Sequence, residues 1–236
     1  MRRTTTERLF IVKRTQEKDC RGKITVLSPQ RGRLVLMAKG LFKPQSKLSG
    51  HLEPLTVVDG LIVWSQQPLL SAAVSRQSFL GIKNDLALTV AATELVRRLA
   101  EWWPPGQPLP RSWLDLITLL TQWNSHHYSW SQLTLASQIM SWRLAHELGY
   151  APVGHTCIHC GRPLAAAFWS ESQGGFFCEA CQPEGLVCHL SHHTLVMWED
   201  LVRSEHLELT KLPSSSTILE ELTAFFNSWL NFLDLC

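Results

Sequence analysis

Two Cys-x-x-Cys pairs constrain this chain more strongly than any other feature of its sequence. Cys157 and Cys160 form the first pair, Cys178 and Cys181 form the second, and seventeen residues lie between them. Zn²⁺ takes four tetrahedral ligands, and a two-residue spacer allows both thiolates of a pair to reach one ion. The sequence therefore predicts a structural zinc site with these four cysteines as its ligands.

The residues around the pairs support a metal site. Gly161 and Gly174-Gly175 stand where turns with positive φ are expected. Two matched pairs favour a metal over the two alternatives, which are four unrelated thiols or a dithiol redox site. His159 and the Cys188-His189 pair are possible substitute ligands, but the regular spacing favours the four cysteines.

Charge is distributed unevenly along the chain. The net charge is only +2, but residues 1–83 hold 15 Lys and Arg against 5 Asp and Glu, whereas residues 84–236 hold 7 against 15. A basic N-terminal module indicates a polyanionic partner, and nucleic acid is the commonest. A basic face that only aids solubility is the alternative.

Composition limits the class of protein and its compartment. With 45% hydrophobic residues, the 236-residue chain is typical of globular proteins. No run of eighteen apolar residues is present, and the N-terminus lacks the apolar core of a signal peptide. We therefore expect a cytoplasmic protein without a membrane span, in which Cys20, Cys188 and Cys236 are free thiols.

Short apolar segments bounded by turn residues follow one another through the first third of the chain. They lie at 9–12, 24–27, 34–37, 55–58, 61–64 and 70–74, separated by Pro and Gly. Five or six strands with no room for crossover helices predict a small closed antiparallel barrel. We expect an OB-type barrel, although an SH3-like barrel would give a similar pattern.

From Asn84 onward the apolar spacing becomes helical. Helices are predicted over 84–102, 112–124, 131–148, 191–202 and 217–233. Nine of the ten tryptophans lie beyond residue 100, interleaved with leucines, which predicts core positions instead of base-stacking positions.

The expected fold class is α+β multidomain. An N-terminal OB-type nucleic-acid-binding barrel occupies 1–80, and a four-cysteine zinc module at 153–186 is inserted among the helices. The helical domain takes the two flanking segments, 81–152 and 187–236.

Cations concentrate in two parts of the predicted barrel. A turn and the loop after the third strand carry Arg31, Arg33, Lys39, Lys43 and Lys47, and the neighbouring hairpin carries Lys13, Arg14, Lys18, Arg21 and Lys23. Such a groove neutralises phosphates without reading base sequence. We predict that the turn and loop set binds DNA together with Lys13, Arg14 and Lys23. Phe42 in the loop is placed to stack on bases.

Catalytic motifs are absent from the sequence. It has no Gly-x-x-x-x-Gly-Lys-Ser/Thr phosphate loop, no His-Glu-x-x-His and no Gly-x-Ser-x-Gly. Catalytic zinc keeps an open position and usually has His or carboxylate ligands, so four thiolates argue against a zinc hydrolase. We expect a protein that is not an enzyme. The competing class is a zinc-ribbon adaptor whose basic barrel binds an acidic protein surface.

Three segments resemble a known family. Ala38-Lys39-Gly40, followed by the basic loop and Gly50-His51-Leu52-Glu53-Pro54, resembles the signature of the bacterial DNA repair protein RecO family. Leu148-Gly149-Tyr150 before the first cysteine pair, and Gly174-Gly175 before the second, are similar to that family's approach to its zinc knuckles. The resemblance covers the whole chain in the same order.

The resemblance implies a recombination mediator. Such proteins bind single- and double-stranded DNA and anneal complementary strands. They work with RecR to load recombinase onto strands coated by single-strand binding protein, and they hydrolyse no cofactor. For this chain we accordingly expect a cytoplasmic, nucleoid-associated monomer with structural Zn²⁺ as its cofactor.

The chain departs from the family at one partner site. Members often carry an Arg-Arg-Phe-Glu run that holds the acidic tail of the single-strand binding protein, whereas this chain has Gln138-Ile139-Met140-Ser141. The resemblance therefore implies that this docking site is absent or is shifted to Arg143, Arg97 or Arg98.

Overall fold

The computed structural model describes residues 3–17, 21–152, 156–185, 187–204, 207, 212–213 and 215–235. The chain divides into two compact units, Met1–His126 and His127–Cys236. In the described residues, the first unit contains a five-stranded barrel and three helices, and the second contains three helices and a three-stranded sheet. The predicted α+β class is confirmed. Lys18, Cys20 and Cys236, named in the sequence predictions, lie outside the described residues.

Five strands close the barrel of the first unit. They are β1 Thr4–Gln16, β2 Gly22–Ser28, β3 Gly32–Ala38, β4 Thr56–Val63 and β5 Leu69–Gln77. Their order around the barrel is β1-β2-β3-β5-β4, with β4 paired back to β1. All neighbours are antiparallel except β3 and β5, which meet in parallel at one pair, Met37 and Leu69. The wall of the barrel therefore has its least backbone pairing between β3 and β5.

Aliphatic side chains from alternate strand positions fill the barrel. Two side chains of the β3–β4 loop, Leu41 and Leu52, join them in the core. The buried side chains of the barrel core are Leu9, Ile11, Ile24, Val26, Leu36, Ala38, Leu41, Leu52, Val58, Ile62, Leu70 and Ala73. Gly60 is buried in the middle of β4. The prediction of separate strands at 55–58 and 61–64 is therefore wrong, because β4 runs straight through this glycine, which close packing requires.

A bulge at Val12 decides which side chains of β1 face the interior. Ile11 pairs with Val26, and the next paired residue is Lys13, opposite Thr25. Strict alternation over 11–13 would point Ile11 and Lys13 to the same side, into the barrel. The extra residue turns Lys13 to the outer face instead, which is a common role of bulges.

Helices cover one end of the outer barrel face. They are α1 Leu80–Lys83, α2 Leu86–Trp102 and α3 Pro110–Ser125. Phe10 points outward and is buried, as are its cross-strand partners Leu27 and Val57. The Phe79 ring lies 6.4 Å from the Phe10 ring, between centroids. This outward row is therefore core, and the open part of the outer face lies beyond it along β2 and β3.

An aromatic cluster forms the core of the second unit. The helices of this unit are α4 Trp130–Glu147, α5 His192–Arg203 and α6 Ser216–Leu235. Its strands are β6 Ala167–Ser170, β7 Gly175–Phe177 and β8 Val187–Leu190. They form a sheet in the order β7-β6-β8. The Trp142 ring centroid lies 4.6 Å from that of Trp229, 5.2 Å from that of Trp198 and 5.5 Å from that of Phe225. The prediction that these tryptophans are core is confirmed.

Side-chain caps explain where two of these helices begin. Ser129 and Gln132 form a reciprocal capping box at the start of α4, and the Ser191 hydroxyl accepts the Thr194 N–H at the start of α5. The predicted helices 131–148 and 191–202 agree with these bounds to within one residue. The short elements α1, β6, β7 and β8 were not predicted, because segments of three or four residues carry no periodicity.

None of the helices in the described part of the chain combines the length and the apolar character that crossing a bilayer requires.

Candidate nucleic-acid interface and metal centre

Three strands place lysines beside apolar side chains on the outside of the barrel. Lys13 pairs with Thr25 and Thr25 with Val35, and in the adjacent row Lys23 pairs with Met37. Residues paired in one row point to the same side of a sheet. We call these five residues the open face. Both lysines are exposed, and Val35 is 44% exposed.

Sequence reasoning found the lysines of the open face but missed Val35 and Met37. Their signal was present in the alternation of β3, where Leu34, Leu36 and Ala38 point inward and the intervening residues point outward. An apolar residue at an outward position is the unusual observation that marks such a surface.

The β3–β4 loop, residues 39–55, carries the predicted lysines on a series of turns. We call it the lysine loop. The Lys43 N–H donates to the Gly40 carbonyl at 3.2 Å, and the Ser46 N–H donates to the Lys43 carbonyl at 3.0 Å. Leu41 and Leu52 anchor the loop in the barrel core, and Phe42 packs half-buried against that core. The exposed side chains of the loop include all three of its lysines, Lys39, Lys43 and Lys47.

Arg31 and Arg33 lie at the other end of β3 from the lysine loop. Arg33 and Lys39 are six residue steps apart along extended backbone, a distance of about 20 Å. The Arg31 Nε donates to Glu7 Oε1 at 2.6 Å, and its guanidinium lies 4.5 Å from the Trp64 ring centroid. Arg33 donates to a backbone carbonyl of α2 at 2.9 Å. The structure therefore does not bring these two arginines together with the loop lysines.

Arg14 takes a supporting position beneath the lysine loop. It pairs with the inward-facing Ile24 and is half-buried. Its guanidinium donates to the Ser49 carbonyl at 3.0 Å. Arg14 therefore holds the loop against the mouth of the barrel.

The second unit brings the four predicted cysteines together. The Sγ atoms of Cys157, Cys160, Cys178 and Cys181 all lie within 4.8 Å of one another, and those of Cys160 and Cys178 are 3.8 Å apart. Four thiolates around Zn²⁺, each at about 2.3 Å, lie about 3.8 Å from one another. The geometry therefore fits a four-coordinate metal ion.

Two backbone contacts shape this cysteine cluster. The Ile158 N–H donates to the Phe176 carbonyl at 2.9 Å and joins the first knuckle to β7. A Cβ on Gly175 would lie 2.5 Å from Ile158 Cδ1, so the Ile158 side chain packs directly over this glycine. Gly161 and Gly174 have positive φ, as predicted. Gly175 does not have positive φ, and its role is to leave room for the Ile158 side chain.

The thiols of the cluster differ in acidity for local reasons. Burial opposes ionisation of Cys157, but backbone N–H groups of Cys178, Cys160 and His159 outweigh it and lower the pKa of Cys157 to about 6. The sulfur of Cys178, then burial and the sulfur of Cys160, raise the pKa of Cys181 to about 12. Four thiolates so close together need a cation to balance their charge.

The residues that the family resemblance suggested for docking the single-strand binding protein tail are buried or paired within the protein. Gln138 and Ile139 are buried, and Gln138 donates to Asn227 Oδ1 at 2.7 Å. Arg143 is only 4% exposed and donates to the Ser204 carbonyl at the end of α5. Arg97 pairs with two glutamates of α2, at 2.7 and 2.8 Å. Arg143 therefore holds the end of α5 within the second unit, and its guanidinium is not at the surface.

Comparison with known proteins agrees with this architecture. Residues 84–233 match the family model described as "Recombination protein O C terminal". The chain is 24% identical to the DNA repair protein RecO of Dehalococcoides mccartyi (strain CBDB1) over 227 residues, which cover 95% of this chain and 88% of the relative. It is 31% identical to the DNA repair protein RecO of Synechococcus sp. (strain JA-3-3Ab) over 177 residues, 67% of this chain and 56% of the relative.

The chain has a barrel unit and a helical unit with four clustered cysteines, and its relatives are DNA repair proteins. Together these findings define a DNA repair protein. The family model spans well over half of the chain, so the chain belongs to the RecO family.

Proposed function

We propose that this protein is a recombination mediator that binds single- and double-stranded DNA and anneals complementary strands. With RecR, it helps to load recombinase onto strands coated by single-strand binding protein, and it does so without catalysing a reaction of its own. The observation that supports this most is the set of exposed lysines on the barrel unit: Lys13, Lys23, Lys39, Lys43 and Lys47.

Within the part of the chain that the structure describes, these lysines have no carboxylate partner, unlike the arginines nearby. Among the residues that the structure describes, none of the five takes part in an ion pair, whereas Arg8, Arg31 and Arg76 each pair with a carboxylate. A lysine without an intramolecular partner is available to neutralise a phosphate and release its counterion. Two strands held on such a surface repel each other less, which favours their pairing.

The barrel is proposed to be of the OB type. Its strand order, β1-β2-β3-β5-β4 with closure to β1, is compatible with a five-stranded Greek-key barrel of this kind. Such barrels bind oligonucleotides on the face of strands 2 and 3 and on the β1–β2 and β4–β5 loops. Lys23 of β2 lies on that face, and the lysine loop continues from the end of β3. Arg31, Arg33 and Arg14 are proposed to support the surface from its edges.

The cysteine cluster is proposed to hold Zn²⁺ through Cys157, Cys160, Cys178 and Cys181. When bound, the ion supplies no reaction chemistry but joins two knuckles separated by seventeen residues of sequence. Trp169 and Phe176 of the strands beside the knuckles pack against Phe225 of α6. An ion that fixes the two knuckles would hold these strands in place, so it would contribute folding free energy. The proposed domain boundaries, 1–80, 81–152, 153–186 and 187–236, place this module among the helices.

The remaining proposals concern partners and location. We propose that the protein acts as a cytoplasmic, nucleoid-associated monomer, and that the tail of the single-strand binding protein docks elsewhere than at Gln138 or Arg143. RecR is proposed as a partner because RecO relatives are the proteins that this chain resembles.

Charge reversal of the lysine loop tests the proposed DNA binding. The variant Lys39→Glu, Lys43→Glu, Lys47→Glu is titrated with labelled single-stranded and duplex DNA at two salt concentrations, beside a triple Lys→Arg control. We expect the reversal to weaken binding to both forms and to lower the slope of log K against log salt by about 2 to 3. Unchanged affinity and slope would contradict the proposal, and no binding by the unmodified protein would favour the adaptor class.

A further inference from the structure

A second open surface lies on the barrel exterior, where β4 stands between β1 and β5. Val58 and Ile62 of β4 point into the barrel core, so the residues that alternate with them point outward. Three rows of paired residues cross this exterior: Thr4, Val63 and Leu69; Thr6, Leu61 and Ala72; and Arg8, Asp59 and Val74. We call these nine residues the β4 face.

Most of the β4 face is aliphatic. Its apolar members are Leu61, Val63, Leu69, Ala72 and Val74. Val74 is 55% exposed, Leu61 is 37% exposed, and Ala72 is also exposed. An antiparallel sheet with one side packed on a core commonly has a polar side toward water. Adjacent apolar side chains at outward positions therefore mark an interaction surface.

Two arginines at one end of the β4 face share a single carboxylate. The Arg8 Nε donates to Asp59 Oδ1 at 2.6 Å, and the Nε of Arg76, which lies beside the face on β5, donates to Asp59 Oδ2 at 2.5 Å. Both arginine side chains are more than half exposed. A guanidinium has five N–H donors, so each arginine keeps donors for a second carboxylate. Two positive charges against one negative charge favour an acidic partner at this end.

The dimensions of the β4 face match those of a helix. Its three strands span about 10 Å and its three rows about 14 Å. These lengths correspond to the diameter of an α-helix and to about nine residues of its length. Helices pack on sheets through an apolar stripe, and the apolar residues of the face offer the matching surface.

Nucleic acid fits the β4 face less well. Binding of DNA without sequence preference uses a line of cations and aromatic side chains that stack on bases. All nine residues of the face belong to the described part of the chain, and none of them is a lysine or an aromatic residue. The cations stand at one end only, whereas a DNA strand carries a charge at every phosphate. A phosphate backbone would therefore cover the apolar rows without pairing with them.

We infer that the β4 face is a docking site for a partner protein, which it binds through an acidic amphipathic helix. Apolar side chains of that helix cover Leu61, Ala72 and Val74, and a carboxylate at the edge of its apolar stripe pairs with Arg8 and Arg76. The excess positive charge of the face selects an acidic helix over a basic one. This inference goes beyond the proposed DNA binding and does not depend on it.

A synthetic helical peptide of about 16 residues is the probe. Leucines at positions i, i+3, i+4 and i+7 form its apolar stripe, and glutamates flank that stripe. A control peptide has lysine in place of every glutamate. Fluorescence anisotropy of each labelled peptide is measured with the full-length protein. We expect the acidic peptide to bind with a Kd of about 10–100 µM and the lysine peptide to bind at least about tenfold more weakly.

Two double variants locate the bound peptide. Leu61→Ser with Val74→Ser removes apolar contacts, and Arg8→Gln with Arg76→Gln removes the charge. Each is expected to weaken binding of the acidic peptide at least about tenfold. Val35→Ser is the matched control, since Val35 is an outward valine of β3 with 44% exposure, and it should change the affinity less than about twofold. Should one double variant melt early, the other decides.

The lysine-loop reversal distinguishes docking on the β4 face from general attraction to cations. Lys39→Glu, Lys43→Glu, Lys47→Glu should change peptide affinity less than about threefold at physiological salt, which screens distant charges. No binding of the acidic peptide, equal binding of both peptides, or equal loss in the lysine-loop and β4-face variants overturns the inference.

DNA binding by the β4-face variants separates this inference from the proposed function. Both double variants are expected to bind labelled single-stranded and duplex DNA as the unmodified protein does. A loss of DNA affinity in Leu61→Ser with Val74→Ser would make the face a nucleic-acid surface and would overturn the inference. Failure of docking thus appears with the peptides, and failure of the proposed DNA binding appears with the lysine-loop reversal.

Discussion

The side chain of Leu9 occupies the space in which a side chain at Gly60 would lie. A Cβ on Gly60 would be 2.7 Å from Leu9 Cδ1 and 2.7 Å from Leu70 Cδ1, all inside the barrel core. Because both leucines are fully surrounded by other core side chains, neither can move aside without opening space elsewhere. Close packing therefore keeps this strand position free of any side chain.

Gly60→Ala is expected to destabilise the barrel unit by about 1–3 kcal/mol, since overpacking a filled core forces side chains or backbone to shift. Gly50→Ala is the matched control, because a Cβ there meets no atom within 4 Å. Chemical denaturation followed by circular dichroism measures both. Equal stability of the two variants would show that the barrel core is not packed as described.

Replacement of one cysteine of the cluster tests the metal assignment. We expect Cys160→Ser to lose bound zinc and to lower the free energy of unfolding by more than about 3 kcal/mol, because metal binding and folding are coupled. Cys188→Ser is the control, since the Cys188 thiol lies outside the cluster and contacts the Ala224 carbonyl at 3.6 Å. Metal content by mass spectrometry and thermal unfolding are the measurements. Full zinc retention by Cys160→Ser would contradict the four-thiolate site.

Asp59 gives the barrel unit a predictable response to acid. The Arg8 and Arg76 guanidinium groups, with Arg8 first, lower the pKa of Asp59 below its ordinary value of 3.8. A carboxyl whose pKa is lowered in the folded state contributes stability above its unfolded pKa and loses it as pH falls through the folded value. Both arginines are more than half exposed, so the contribution at pH 7 is about 0.5 kcal/mol.

The Asp59→Asn variant is therefore expected to be slightly less stable than the unmodified protein at pH 7. The difference should shrink below about pH 4 as Asp59 of the unmodified protein takes up a proton. Urea denaturation at a series of pH values measures it, with Glu17→Gln as a control at an exposed carboxylate. A difference that stays constant down to the lowest pH would exclude this ion pair as its source.

Arg143 is expected to behave as a structural residue. Its guanidinium donates to the Leu201 carbonyl and to Ser204 at the end of α5, so Arg143→Ala should cost about 2–3 kcal/mol by leaving buried acceptors unpaired. Arg97→Ala, at an exposed site, should cost less than about 1 kcal/mol. Thermal unfolding compares them. Unchanged stability of Arg143→Ala, combined with lost binding of the single-strand binding protein tail, would restore Arg143 as a docking residue.

The fold could be predicted from the sequence where the signal is local. Spacing within each Cys-x-x-Cys pair places two ligands at one point, and Ser191 marks a helix start by a hydrogen bond to a residue three positions away. Short apolar segments bounded by turn residues likewise located the five barrel strands, although they divided β4 into two. In each case the pattern is set by the geometry of one element.

The sequence predicts less well where two distant segments meet. Nothing local in 11–13 shows that Val12 forms a bulge, yet that bulge decides that Lys13 faces outward and Arg14 inward. Arg31 looked like a member of the basic loop set, but Glu7 and Trp64 hold it at the other end of the barrel. Such outcomes depend on strand register and cross-strand partners, which single-segment patterns do not contain.

The most direct test of the central claim is a strand-annealing assay. Two complementary labelled oligonucleotides are mixed, and the rate of energy transfer is followed with the unmodified protein, with Lys39→Glu, Lys43→Glu, Lys47→Glu, and with the corresponding triple Lys→Arg variant. The account predicts that the unmodified and Lys→Arg proteins accelerate annealing and that the charge-reversed protein has lost most of this acceleration. Equal acceleration by all three proteins would contradict it.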